Sequence, residues 1–245
     1  MRLMVSILAL AFSAAAALAG APASPPAAAG ASPPAAAGAG KTNANPCKDE
    51  VAAALKKLRS ASWFRLTTSM ITEKGPVTME VDYVLPDRMR QKVTEEVTLD
   101  SSEVILVGEK AWGNEGQGWV ALPQDITGEL RAVMQENVVE QQEDVGNYSC
   151  KGRTQFEGRD VISYKLEDEP AKDSTAPKNE TYRMFYVDAT TGLPVSNALL
   201  APGRETKPLF KASYSFPVDI KIDPPQNVIQ EPAAAPGLPD APPKN

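Results

Sequence analysis

Apolar side chains recur every three or four residues in two stretches of the chain, and every second residue through most of the rest. Val51, Ala54, Leu55 and Leu58 form one stripe at helical spacing. Asn45-Pro46 precedes it, a capping side chain followed by proline at the first helical position. Asp49 and Glu50 fall in the first turn, where the helix dipole favours acids. The spacing predicts an amphipathic helix over Cys47–Ser60. Ile126, Leu130, Val133, Met134 and Val138 repeat the pattern and predict a second helix over Asp125–Val139.

Period two governs the other segments. From Ser62 to Thr72, Phe64, Leu66, Thr68 and Met70 alternate with Trp63, Arg65, Thr67 and Ser69. Lys74-Gly75-Pro76 turns the chain, after which Val77, Met79, Val81, Tyr83 and Leu85 alternate with Thr78, Glu80 and Asp82. A third strand, Arg88 to Val97, carries Met89, Gln91 and Val93 on one face and Arg88, Arg90 and Lys92 on the other. Those bases are expected to lie across from Glu80 and Asp82 on a solvated outer face. Further strands are predicted over Glu103–Lys110, Asn147–Phe156, Asp160–Leu166, Thr181–Val187, Leu193–Leu200 and Leu209–Ile222. Gly113 to Gly118, with three glycines in six residues, reads as a hairpin loop between Trp112 and Trp119. Glu167 to Lys178 reads as a polar loop punctuated by proline. The order is helix, about five strands, helix, about five strands. Nearest-neighbour hairpins make the expected sheet antiparallel, and a sheet of that size is expected to curl. The class is mainly β (α+β).

The two ends of the 245-residue chain read differently. Met1-Arg2 and the apolar run to Leu18 end in Ala17-Leu18-Ala19, which fits a signal peptide over residues 1–19 cleaved after Ala19. A retained membrane anchor is the alternative, although the run is alanine-rich and short for a bilayer span. Residues 20–45 form an Ala/Pro-rich linker in which ASPPAAAG at Ala23–Gly30 repeats unchanged at Ala31–Gly38. Such a composition offers nothing large to bury and is expected to stay disordered. A Pro/Ala-rich tail, residues 226–245, closes the chain. One globular domain, residues 46–225, lies between. The export signal places the mature protein in the periplasm, not membrane-spanning after cleavage.

Composition then narrows the chemistry. The chain has no histidine, which removes imidazole catalysis and histidine-ligated zinc. Its 25 basic and 31 acidic side chains give a charge of -6 and no basic strip, which argues against nucleic acid as a partner. No nucleophile has a base and no ligand set has metal spacing, so the reading is not an enzyme, with no cofactor. Cys47 and Cys150 are the two cysteines. In an exported chain an even count without a CxxC motif suggests one structural bridge; two free, buried cysteines are the alternative.

The remaining signal is apolar. Phe64, Leu66 and Met70 on one strand, and Val77, Met79, Val81 and Tyr83 on the next, are expected to share a face. One reading is a core packed against the two helices. The other is the wall of a cavity for acyl chains, which methionine and aromatic side chains suit.

Three short patterns carry a resemblance. Tyr83-Val84-Leu85-Pro86-Asp87-Arg88 closes a strand as in LolA-like periplasmic proteins, and Ile105 to Trp112 followed by Gly118-Trp119 is similar to the same family. Asp188-Ala189-Thr190-Thr191-Gly192-Leu193-Pro194 resembles the D-x-x-T-G-L-P hairpin of LolA, LolB and RseB-type domains. The resemblance implies a strongly curved antiparallel sheet, an unclosed half-barrel with two helices across its concave face. It also implies an acyl chain, lipid or lipoprotein as the bound partner, or an envelope protein partner for a sensor module whose concavity is filled.

Overall fold

The computed structural model describes residues 45–140, 144–167 and 181–229. The expected signal peptide, the linker up to residue 44, most of the 167–178 loop and the tail from residue 230 lie outside the described residues.

Helix α1 (Pro46–Arg59) starts where the sequence places it. The Asn45 side chain accepts from the backbone N–H groups of Cys47 and Lys48 at 3.1 and 3.2 Å, and its amide donates to the Tyr148 carbonyl at 3.0 Å. Six strands follow: β1 (Trp63–Thr72), β2 (Gly75–Val84), β3 (Arg88–Glu95), β4 (Ser101–Val107), β5 (Lys110–Asn114) and β6 (Val120–Ala121). Helix α2 (Gln124–Met134) runs into one π-helical turn, Gln135–Val139. The second group is β7 (Tyr148–Phe156), β8 (Arg159–Leu166), β9 (Tyr182–Asp188), β10 (Pro194–Leu200) and β11 (Phe210–Ser215).

All eleven strands form one antiparallel sheet in the order β6-β5-β4-β3-β2-β1-β11-β10-β9-β8-β7. Each half is a meander of hairpins, as the alternating pattern predicts. The joint between the halves is not local: β1 pairs with β11, with Leu66 opposite Tyr214 and Thr68 opposite Ala212. The free edges, β6 and β7, are therefore the two strands that flank α2 in sequence, and α2 packs against β4 and β5 in a curved, unclosed half-barrel. Both helices lie across its concave face. The curl lets side chains meet across strands: the Tyr148 and Phe185 rings stand 6.3 Å apart although β8 separates their strands.

Most element ends fall within a few residues of the sequence reading; the C-terminal segment departs furthest from it. β11 ends at Ser215 instead of Ile222, because Pro217 has no N–H to offer a ladder. The chain then leaves the sheet plane and straps the convex face. The Trp63 indole donates to the Pro217 carbonyl at 2.8 Å and the Arg88 guanidinium to that of Ile222 at 2.7 Å. Ile222 is buried with Ile105 and Trp112. The Ile229 N–H donates to the Trp119 carbonyl at 2.8 Å, where Val120 and Ile229 form a parallel bridge. Gly118, with φ +108°, permits this approach, since a Cβ there would stand 2.8 Å from the Ile229 side chain. The loop from Gly113 to Gly118 is a hairpin turn, tied by Asn114 accepting from the N–H groups of Gly116 and Gly118.

Candidate functional site

The seven apolar positions singled out in the sequence do share a face. Phe64 stands opposite Tyr83, Leu66 opposite Val81 and Met70 opposite Val77, and in an antiparallel ladder directly opposed side chains point the same way. Met79 stands opposite Thr68, a polar residue in this alternation that is 2% exposed. The face is the concave one, and it is closed over. Val81 is 1% exposed and Met79 8%, while Phe64, Leu66, Val77 and Tyr83 are also buried; Met70 is half-buried.

The wall extends well beyond those seven. Because β1 pairs with β11, the same surface continues through Ala212, Tyr214, Phe185, Tyr164 and Tyr148 on one side and through Met89 and Leu106 on the other. Phe64 contacts both neighbours, with ring centroids 5.0 Å from Tyr83 and 6.5 Å from Tyr214. Period two marks each of these residues as one-sided, but which strand of the second half meets β1 is a long-range fact that no local pattern carries.

Burial sets the electrostatics of this face. Desolvation disfavours the phenolate, pushing Tyr83 and Tyr164 well above the usual tyrosine value and Tyr214 up to about 12. The Tyr164 shift is reinforced by its hydrogen bond to Glu50. The phenols are neutral hydrogen-bond donors at any physiological pH.

The two helices that cover the wall are held in unequal ways. α1 lies against β7, β9 and β10, and α2 against β4 and β5. The Cys47–Cys150 disulfide, with the two Cα atoms 5.4 Å apart, fixes the first turn of α1 to β7 and settles the cysteine alternatives in favour of the bridge. Tyr164 donates to Glu50 at 2.6 Å, Lys48 pairs with Asp144 at 2.7 Å, and the Lys57 ammonium donates to the Thr191 carbonyl. α2 has no side-chain cap at Pro123, buries Thr127 and Met134, and leaves Val133 exposed. Its one ion pair among the described residues, Arg131 with Glu109, spans 3.7 Å between exposed groups, a geometry that stabilises little.

Two clefts open elsewhere. One, of about 350 Å³, touches the wall only at its end, where Met70 and Val77 meet Ile71, Pro76, Glu96 and Pro208. The other, of about 180 Å³, lies on the convex face among Arg65, Glu80, Asp82, Arg90 and Lys92. The register there is the expected one, Glu80 opposite Lys92 and Asp82 opposite Arg90. Four of its five charged side chains are paired: Arg65 with Asp82 at 2.6 Å and Glu80 at 3.2 Å, and Arg90 with Glu103 at 2.7 Å. Among the described residues, no group of three or more Cys, Asp or Glu side chains is placed to hold a metal. No described helix is long and apolar enough to cross a membrane.

The fold is similar to that of several solved proteins. Mycobacterium tuberculosis lipoprotein LppX matches at 12% identity and a TM-score of 0.48, over 73% of this chain and 98% of its own. LprF from Mycobacterium bovis matches at 11% identity and a TM-score of 0.48, over 74% of this chain and 98% of its own. The LolA superfamily protein NE2245 from Nitrosomonas europaea matches at 12% identity and a TM-score of 0.26, over 75% and 97%. No family model and no curated protein matches the sequence.

Proposed function

We propose that this protein is a periplasmic carrier that holds the acyl chain of a lipid or lipoprotein against the concave face of the half-barrel. The supporting observation is the unequal hold on the two helices. An apolar wall spanning both halves of the sheet is covered on one side by α1, which is covalently pinned, and on the other by α2, which buries Thr127 and Met134. Displacing α2 exposes Leu106, Met89, Tyr83 and Met79 as one continuous surface, and a flexible acyl chain replaces the contacts that Met134 makes. In this reading Phe64, Leu66, Met70, Val77, Met79, Val81 and Tyr83 line the ligand site, and α2 is the element that moves. The signal-like N-terminus and the disulfide both suit an exported protein.

The test is mass spectrometry of solvent extracts from the mature protein purified from its own host, together with uptake of a fluorescent fatty acid. Stoichiometric lipid and saturable uptake are expected. A lipid-free protein that takes up no probe would refute the proposal.

A different observation favours a second reading, an envelope module that meets a protein partner. Ile71, Val97 and Leu99 are 69%, 68% and 77% exposed at one end of the sheet, and the wall itself is packed. Uptake of the fatty acid by the wild type would remove the need for this reading.

A further inference from the structure

The concave wall is not apolar throughout. Arg183 on β9 stands opposite Leu199, Leu199 opposite Phe210, Phe210 opposite Met70, and Met70 opposite Val77. That chain of pairings puts the Arg183 side chain on the concave face, in the same cross-strand row as Met70 and Val77. It is half-buried, and none of the ion pairs of the described residues includes it. The next row runs through Phe185, Asn197, Ala212, Thr68 and Met79. Asn197 is 6% exposed, and its Oδ1 has no hydrogen-bond partner among the described residues. An orphaned buried carbonyl oxygen costs desolvation free energy that a bound donor would recover.

Two phenols complete the group. Tyr148 stands opposite Leu166, whose neighbour Lys165 pairs with Met184 next to Arg183, and Tyr214, opposite Leu66, lies two rows in from the Arg183 row. The guanidinium acts on both: its charge favours their phenolates, against the larger opposing effect of burial. Both stay protonated and available to donate. The cluster therefore offers one cation and two hydroxyl donors, and next to them one acceptor in need of a donor. Ala212, fully buried, stands between Thr68 and Asn197 in that row.

Building on the carrier reading, we propose that Arg183, Tyr148, Tyr214 and Asn197 form a head-group site for an anionic amphiphile. The anion pairs with Arg183 and accepts from the two tyrosines. A hydroxyl or amide N–H beside it on the ligand donates to Asn197 Oδ1. The acyl chain then runs inward over Ala212, Leu66 and Phe64. Arg183 stands in the outermost row, where water reaches it, so the charged head stays at the end of the wall while the chain is enclosed.

The experiment uses three single-chain probes on the disulfide-intact protein, each titrated below its micellar concentration. 1-Oleoyl-lysophosphatidylglycerol has the anion and the hydroxyls, oleate has the anion alone, and monoolein has the hydroxyls alone. The wild type should bind the first most tightly. Arg183→Gln should weaken lysophosphatidylglycerol and oleate by about tenfold or more and leave monoolein within about twofold, since a charge-assisted hydrogen bond is lost only for the anions. Arg183→Lys should restore part of the loss. Asn197→Leu should weaken the two hydroxyl-bearing probes, spare oleate and raise the melting temperature, because it removes an unsatisfied buried oxygen. A wild type that binds monoolein as tightly as lysophosphatidylglycerol overturns the head-group site and leaves the carrier reading standing. So does an Arg183→Gln variant with unchanged affinities. A wild type that binds none of the three overturns both.

Discussion

The Tyr164 hydroxyl donates to the Glu50 carboxylate at 2.6 Å, joining the first helix to a strand 114 residues later in the chain. Tyr164 itself is 2% exposed, so its ring packs in the core while its oxygen reaches the rim of α1. Tyr164→Phe keeps the ring and removes the bond. It should lower unfolding free energy by about 1 kcal/mol in urea titrations, with the slope unchanged. An unaltered midpoint would mean that the contact contributes nothing to holding α1.

The disulfide closes a loop of 103 residues that contains the first half of the sheet and α2. Reduction should therefore cost roughly 3–5 kcal/mol, within the range of the chain-entropy account. Thermal melts with and without dithiothreitol measure it. Alkylation of the freshly exported, unreduced protein should label neither cysteine, and two labelled thiols would contradict the pairing.

All six tyrosines have their ionisation pushed upward, with burial the largest cause in each. In the unfolded chain a phenol titrates near about pH 10. A raised folded-state value means stability that is complete below that pH and lost as pH rises through the folded-state values. Absorbance at the phenolate band, followed with circular dichroism, should show ionisation delayed past pH 10 and then coupled to unfolding. Simple titration near pH 10 with the far-ultraviolet signal intact would be the contrary result.

Met79 and Met134 approach the same core from the sheet and from α2, at 8% and 3% exposure. Met79→Asp places a carboxylate where neither water nor a partner is available, and should destabilise the domain by several kcal/mol. Met134→Ala should cost about 2–4 kcal/mol. Because it loosens α2, it should also speed uptake of a fluorescent fatty acid in stopped-flow mixing. Slower uptake would show that α2 forms part of the site and is not its cover.

The strap on the convex face rests on Ile222, which is 3% exposed against Ile105 and Trp112. Ile222→Ala should cost about 2–4 kcal/mol and raise the exposure of the Trp112 indole, visible as a red shift in tryptophan emission. A neutral substitution would mean that the segment from Phe216 to Ile229 only lies on the sheet without stabilising it.

Much of this architecture is written locally. The helix at Cys47–Ser60, the alternation from Phe64 to Tyr83 and the turn at Asp188–Gly192 each follow from spacing and turn chemistry within a few residues. The shared face of Val77, Met79, Val81 and Tyr83 follows from the pleat of one strand. The disulfide was legible because only two cysteines exist. Three features are not of that kind. The pairing of β1 with β11 joins segments about 145 residues apart, and every strand of the second half has the same two-residue period to offer. The extension of the wall to Tyr214 and Tyr148 depends on that joint and on the curl. The departure of the chain at Pro217 is local, but its landing on Ile105 and Trp112 is not. Spacing along the chain determines which side chains share a face of one element, because backbone geometry repeats every few residues. Which faces then meet was decided only by burying the most apolar surface over the whole sheet, a collective free energy that no single segment contains.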